Sequence, residues 1–462
     1  MTKRIGGVAV IAASALALAG CSTLGSVSNL NPFKKNENKE VATDGRRISI
    51  VAFDQKVEAS ESLKGADFNL PPATAIANWP QPGGAPDVVV DHVQAAASFD
   101  VAWRKGFGKG SNRALHLLAP PVYADGRIYV MDAEGEVAAV DARTGSVIWR
   151  KPPENRTRRD KQAFGGGVAY ADGKVYVSSG YRYVARLDAA TGALEWKTNS
   201  SAPIHGAPIV TQGRVYVVNT DNEMLTYDVA TGTQAWTYQA LVEPARILAA
   251  SSPAAQGDTI VAGFASGEVV ALRAGNGNDL WNNTLAKASR TSALSEIRDV
   301  AGRPVIYQGD VYAASHSGVF GAIDLRSGQS RWSLPIASIT TPWPAGDVVY
   351  VISQAGEVIC ASRESGQVYW IKDLNAGLAT AKKSKLFFGM AKQKVRPLFS
   401  GPILASDRLI VVSSDGRAIA LNPKTGDFLK EINLGGPALV TPIAGGDTVY
   451  VVTDKAELVA IR

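Results

Sequence analysis

The chain has 462 residues, 46% of them hydrophobic and 19% charged, which is too apolar for a disordered protein and offers no series of spans for a polytopic membrane protein. Lys and Arg number 48 against 42 Asp and Glu, a net charge of +6, which is not the dense basic footprint of a nucleic-acid binder. Two cysteines, Cys21 and Cys360, cannot build a disulfide scaffold or a four-ligand zinc site. Length alone suggests about three domains, a count that internal repeats would void.

The first element in the chain is an address. Lys3 and Arg4 are followed by an uncharged run from Ile5 to Gly20, too short to span a bilayer that needs about 20 residues, and so a secretory leader. Without those two charges the mature chain carries about +4, spread too thinly to form a nucleic-acid surface. The run ends Leu18-Ala19-Gly20-Cys21, which resembles a bacterial lipobox. That resemblance implies cleavage before Cys21, a diacylglyceryl group on its thiol and a palmitate-like acyl chain on the new amino terminus. Several chains, at about 0.8 kcal/mol per buried CH2, anchor a soluble domain firmly. Ser22 in place of Asp implies delivery to the cell outer membrane, facing the periplasm. Residues 1–20 are therefore expected to be a signal peptide and 21–96 a lipidated tether with an extended N-terminal segment. Within it, Arg47 to Phe53 alternates for a few residues, and Pro71-Pro72 and Trp79-Pro80-Gln81-Pro82-Gly83-Gly84 read as extended chain lying on a surface.

From about residue 97 the chain repeats itself. Asp141-Ala142-Arg143-Thr144-Gly145-Ser146-Val147-Ile148-Trp149 returns as Asp188 with Thr191-Gly192 and Trp196, as Asp228 with Thr231-Gly232 and Trp236, and as Asp324 with Ser327-Gly328 and Trp332. Weaker copies begin at Arg273, Ser362 and Asn422 and end at Trp281, Trp370 and Lys430. A second phrase precedes each, such as Asp125-Gly126-Arg127-Ile128-Tyr129-Val130 and Asp172-Gly173-Lys174-Val175-Tyr176-Val177. Each unit reads as four short strands with turn residues between them. The Gly supplies a positive φ and the Asp accepts hydrogen bonds from the Thr and Gly amides. The Trp ends the outermost strand and stacks between neighbouring sheets. These residues are structural.

From Trp103 to Lys430 the step averages about 47 residues, the length of a propeller blade. A lone strand at Ala97 to Lys105 and three strands from Ala438 to Arg462 complete one another. The expected fold is all-β: an eight-bladed β-propeller of four-stranded antiparallel blades over residues 97–462, closed by pairing of N- and C-terminal strands.

The Asp-x-x-Thr-Gly-x-x-x-Trp phrase resembles the tryptophan-docking repeat of the pyrroloquinoline-quinone propellers, shared by quinoprotein dehydrogenases and by the outer-membrane protein assembly factor BamB family. The dehydrogenase resemblance implies a quinone over a calcium ion, an Asp base and often a disulfide between adjacent cysteines. This chain has no adjacent cysteines and its carboxylates scatter among turns, so no enzyme, cofactor or metal is expected. Cys360 reads as a small buried hydrophobe. The four histidines, His92, His116, His205 and His316, show no ligand spacing, with His205 placed near the central channel. A quinone-binding or other ligand-binding periplasmic propeller is the alternative reading.

The match to the assembly-factor family covers nearly the whole mature chain, from lipobox through tether to eight blades. It implies a scaffold, monomeric within a hetero-complex, that binds a POTRA domain of BamA and assists insertion of outer-membrane proteins, with nascent chains as a further partner. The family contact uses a loop with Leu-x-Leu-Arg and a neighbouring loop with two Asp residues. Here the first reads Ala245-Arg246-Ile247-Leu248: Ile247 falls at the second Leu, Leu248 replaces the Arg, and the adjacent Arg246 carries the charge. The second reads Arg298-Asp299-Val300-Ala301, so Asp299 keeps one acidic position and Ala301 loses the other. One insertion departs from the family pattern. Lys382, Lys383, Lys385, Lys392, Lys394 and Arg396 surround Phe387 and Phe388, and this basic stretch reads either as a solvated loop with its aromatics tucked on the seventh blade or as a contact for anionic lipid or another protein.

Overall fold

The computed structural model describes residues 57–85, 88–156, 163–243, 247, 251–286, 297–376 and 396–462. The leader with Cys21, the stretch Arg47 to Phe53, Arg246, Leu248 and residues 381–395 of the basic insertion lie outside them.

Alternation of Val, Ile and Tyr with small residues, broken every few positions by Gly or Asp, gives short twisted strands joined by hairpins. Blade 1 consists of Val122–Ala124, Arg127–Met131, Val137–Asp141 and Val147–Lys151. The same order recurs at 166–199, 209–239, 254–284, 305–334, 343–373 and 399–433 as blades 2 to 7. Blade 8 takes Ile443–Gly445, Thr448–Val452 and Glu457–Ile461 from the C-terminus and Val101–Gly106 as its fourth strand. Among the described residues these form eight four-stranded antiparallel sheets, an eight-bladed propeller closed between its termini as expected. Lys105 faces Leu458 across the closing ladder, and Asp100 and Arg462 exchange main-chain bonds of 2.8 and 2.9 Å beside it.

Burial explains the strand sequences. The second and third strands are sandwiched between neighbouring blades, and Ile128, Tyr129, Val130, Ala138 and Ala139 of blade 1 are all inaccessible. The fourth strand lies on the rim and alternates between exposed and half-buried positions. Its Trp stands in the middle of that strand rather than at its end, just after a bulge that shifts the register against the third strand.

Each Trp packs on the repeat Gly of the next blade. A methyl group on Gly192 would meet the Trp149 ring at 2.7 Å, and one on Gly232 would meet Trp196 at 2.6 Å. The contact recurs from Trp103 on Gly145 to Trp370 on Gly426. The indole N–H of Trp149, Trp196, Trp236, Trp281 and Trp332 donates to a main-chain oxygen of the following blade at 2.7–3.1 Å. Ring, carbonyl and a Gly without a Cβ together form one inter-blade rivet. At the eighth place Lys430 does the joining instead: its ammonium reaches Ser98 O at 3.1 Å and Asp100 Oδ1 at 2.6 Å, just ahead of the closing strand.

Two expectations about the turns need correction. The Asp141 carboxylate accepts the amides of Arg143 and Thr144 and the Thr144 hydroxyl, whereas the Gly145 amide goes to the main-chain oxygen of Asp141. Gly is also not the sole carrier of positive φ. In the hairpin between the first two strands Asp125 (51°) and Gly126 (72°) share the left-handed region, which is the type I′ geometry that suits twisted strands.

The segment before the propeller is a built-in part of it. Phe68, Trp79 and Val93 are buried. Trp79 exchanges main-chain bonds with Tyr123 of blade 1, and the Gln81 amide grips both the N–H and the C=O of Val210 in blade 3 at 2.8 and 2.9 Å. Asp91 accepts from the Tyr307 hydroxyl of blade 5 and the Trp343 indole of blade 6. His92 is held between Pro71 O and the Asp407 amide of blade 7. Most of these partners lie at or near the hairpins joining first and second strands, so the segment lies across one face of the ring, with Phe68, Trp79 and Val93 buried there.

Candidate partner-binding loops and the central cavity

The opposite face carries the connections that lead from each fourth strand to the first strand of the next blade. First strands line the central channel, and most are entered through a proline: Pro121, Pro208, Pro253, Pro304, Pro342 and Pro442. A residue without an N–H is tolerated at such an innermost edge.

Two of these connections hold the loops singled out above, and the fold brings them together. The Ile247 amide donates to Asp299 Oδ2 at 3.3 Å. Asp299 is only 2% exposed; its main-chain oxygen accepts the His316 amide at 2.8 Å, and the neighbouring Val300 amide bonds Phe264 O. Asp299 therefore sets the shape of the joint between the loops, with its carboxylate turned inward. Ile247 is half-buried and lines a cavity of about 240 Å³ that Asp299, Asn219, Asn222 and Phe264 also border. Arg246 and Leu248 lie outside the described residues, as does Cys21.

Beside this joint stands a feature the sequence reading passed over. Leu241 and Val242, just after the fourth strand of blade 3, are 67% and 77% exposed. Their presentation is built. The Leu241 amide donates to Glu268 Oε2 at 2.9 Å, and its oxygen accepts from the Asn222 amide at 2.7 Å. Glu268 is buried and is satisfied further by Ser266 and Asn282. Two adjacent apolar residues where the alternating strand pattern stops were the available signal.

A larger cavity of about 620 Å³ occupies the channel. Trp79, Pro82 and Gly83 wall it on the side of the N-terminal segment, and Leu118, Ile339, Leu398 and Leu439 line it toward the loop face. His205 and His316 both border it, so these histidines are not as isolated as their spacing suggested. His205 stacks on Phe164 at 5.0 Å, and His116 meets the same ring edge-on at 5.8 Å. The thiol of Cys360 is fully buried, as expected of a small hydrophobe, and burial pushes its pKa well up.

Comparison with known proteins follows this geometry closely. A family model described as outer membrane protein assembly factor BamB matches residues 90–160, 133–372 and 384–462. The protein of that name from Vibrio cholerae is 28% identical over 358 residues, covering 77% of this chain and 86% of its own. The one from Moranella endobia is 26% identical over 348 residues, covering 74% and 84%. Among solved structures, BamB from Moraxella catarrhalis superposes with a TM-score of 0.65 at 18% identity, over 78% of this chain and 99% of its own. Quinohemoprotein alcohol dehydrogenase from Comamonas testosteroni superposes at 0.61 with 17% identity, over 82% and 77%; it shares the fold. A quinone held over a calcium ion requires several carboxylate and amide oxygens. The described residues lining the channel cavity include neither Asp nor Glu, and Gln354 is their one side-chain amide, so they do not fit that group.

Proposed function

The chain belongs to the outer membrane protein assembly factor BamB family, and from that membership we propose that it is a non-enzymatic scaffold of the machinery that inserts β-barrel proteins into the outer membrane. In this reading acylated Cys21 holds it at the membrane, the propeller faces the periplasm, and the loops around Arg246, Ile247, Leu248 and Asp299 bind a POTRA domain of BamA.

The observation that carries the loop assignment is the joint itself. Two connections chosen from separate parts of the sequence lie side by side, braced by the Ile247 to Asp299 hydrogen bond, with exposed Leu241 and Val242 next to them. A rigid base that offers a few apolar side chains amid polar surroundings is the anatomy of a protein-binding hot spot. The inward-turned Asp299 acts in this reading by holding Ile247 in place. The exposed outer edges of the fourth strands offer main-chain groups to a nascent strand as a second kind of partner.

The test is binding of the full-length lipoprotein in detergent to the purified periplasmic domains of BamA. An Arg246→Glu, Ile247→Glu variant and a Leu241→Glu, Val242→Glu variant should each weaken binding at least tenfold while leaving the circular-dichroism spectrum unchanged. Binding that survives both substitutions would move the interface elsewhere. No binding by the folded wild type would defeat the scaffold reading. Cys21→Ala should release the protein from membranes, and mass spectrometry of the wild-type N-terminus should show the acyl chains.

A further inference from the structure

The channel cavity has a chemistry that the scaffold role does not use. It is blind on one side, where Trp79, Pro82 and Gly83 of the N-terminal segment wall it and Trp79 stacks on Trp343 with ring centroids 6.2 Å apart. On the other side its lining is apolar and reaches solvent: Leu118, Ile339, Leu398 and Leu439 are 37–53% exposed. Its volume of about 620 Å³ falls within the range of small-molecule sites, about 300–1,000 Å³.

Into this apolar lining the connection between blades 4 and 5 places one guanidinium. Arg303 lies against Gly83 so closely that a methyl there would meet Nη1 at 2.1 Å, and its Nε donates to Pro253 O at 3.2 Å. Among the described residues it has no ion-pair partner, although surface arginines such as Arg331 and Arg417 each have two. Burial alone pushes its pKa down, to about 10. Arg303 is half-buried and still carries its charge at neutral pH, and a half-buried charge in an apolar setting gains from a counter-charge. His316 adds a second unmet polar atom to the same lining, a buried Nδ1 without a hydrogen-bond partner.

A guanidinium matches a planar carboxylate through paired N–H donors, and the rest of the wall asks for an aliphatic body. We propose that the central cavity binds an aliphatic monocarboxylate of medium chain length, its acid group on Arg303 and its chain running toward Ile339 and Leu398. The site adjoins the partner-binding loops, since Ile247 and Ala301 also border the cavity, but it is distinct from the fold's quinone chemistry, since it requires neither metal nor carboxylate side chains.

Isothermal titration of the full-length protein with dodecanoate, below its micelle concentration, tests this. One equivalent should bind, and affinity should rise about fourfold for each added methylene from octanoate to dodecanoate. Arg303→Gln should weaken dodecanoate by about tenfold or more while barely changing the binding of dodecanol. Because Arg303 also packs on Gly83, a second variant is needed. Ile339→Glu alters an exposed residue, should leave the fold intact, and should weaken dodecanoate through repulsion and lost apolar contact. Absence of saturable binding to the wild type, or affinity unchanged in both variants, would overturn the proposal.

Discussion

Gly192 and Gly173 lie in the same blade with almost the same backbone, φ of 73° and 74°. Their surroundings differ: a Cβ on Gly173 would meet nothing within 4 Å, whereas one on Gly192 would meet the Trp149 ring at 2.7 and 2.8 Å. Replacing each by Ala therefore separates backbone strain from the inter-blade rivet. An L-residue in this region costs about 1–2 kcal/mol, of which about 0.4–1 kcal/mol is recovered because Ala restricts the unfolded chain. Gly173→Ala should thus cost at most about 1.6 kcal/mol. Gly192→Ala must in addition push a rigid indole out of its seat, an overpacking cost of about 1–3 kcal/mol, and strain the Trp149 bond to Ala189 O. Urea unfolding followed by far-ultraviolet circular dichroism gives the two values if the slopes agree. In a Trp149→Ala background the two substitutions should become equal to within about 0.5 kcal/mol, since the ring is gone. If Gly192→Ala costs no more than Gly173→Ala in the wild-type background, the Trp–Gly contact does not hold neighbouring blades together.

Four further outcomes are expected. Asp141, Asp188 and Asp324 are held below the ordinary 3.8 chiefly by the hydroxyls of Thr144, Thr191 and Ser327, and Asp228 chiefly by the Thr231 amide. A folded pKa below the unfolded one adds stability that is complete above the ordinary value and is lost as pH falls through the folded one, so changing all four to Asn should shrink the drop in urea midpoint between roughly pH 6 and roughly pH 3. Gln81→Ala removes both bonds to the Val210 backbone and should cost about 1–3 kcal/mol because buried main-chain groups lose their partner; hydrogen exchange at Val210 should quicken. Lys430→Met breaks a partly exposed pair with Asp100 and should lower stability by at most about 1 kcal/mol, with faster exchange confined to residues near the closing strand. Cys360, buried with its thiol pKa pushed up, should react with a thiol reagent at the rate of unfolding and become fully reactive in urea.

The ring was readable because its signals are local. Asp141, Gly145 and Trp149 lie within nine residues of one another, and each acts on its own hairpin or on the next blade, so spacing alone exposed the blade count and the shared eighth blade. The N-terminal segment was not readable in the same way. Gln81 meets Val210 and Asp91 meets Tyr307 across more than a hundred residues, a separation at which no local spacing links the partners, and the groups Gln81 grips are main-chain atoms that leave no trace in side-chain pattern. The partner-binding loops were located only as a region. That Ile247 and Asp299 are adjacent follows from neighbouring blades, but the inward turn of Asp299 depends on Val300 and His316 bonding around it. The channel mouth did leave a signal. Leu118, His205, Ala301, Ile339 and Leu439 all stand three residues before a proline that opens a first strand, a periodicity masked by the differing chemistry of the five side chains.

Closure by Val101–Gly106 against Glu457–Ile461 also sets a timetable. A polypeptide that emerges amino end first, from a ribosome or through a translocation pore, presents its closing strand before all eight blades and must hold it unpaired until Glu457–Ile461 appears. Blades 1 to 7 can each form their hairpins on the way, but the ring stays open for the whole of that interval, with Glu457–Ile461 still to come and Val101–Gly106 offering a bare edge to other chains. Premature truncation by even the last strand would thus leave an open ring with two sticky ends rather than a slightly smaller one, and a stalled or clipped molecule of this kind is the form most prone to aggregate.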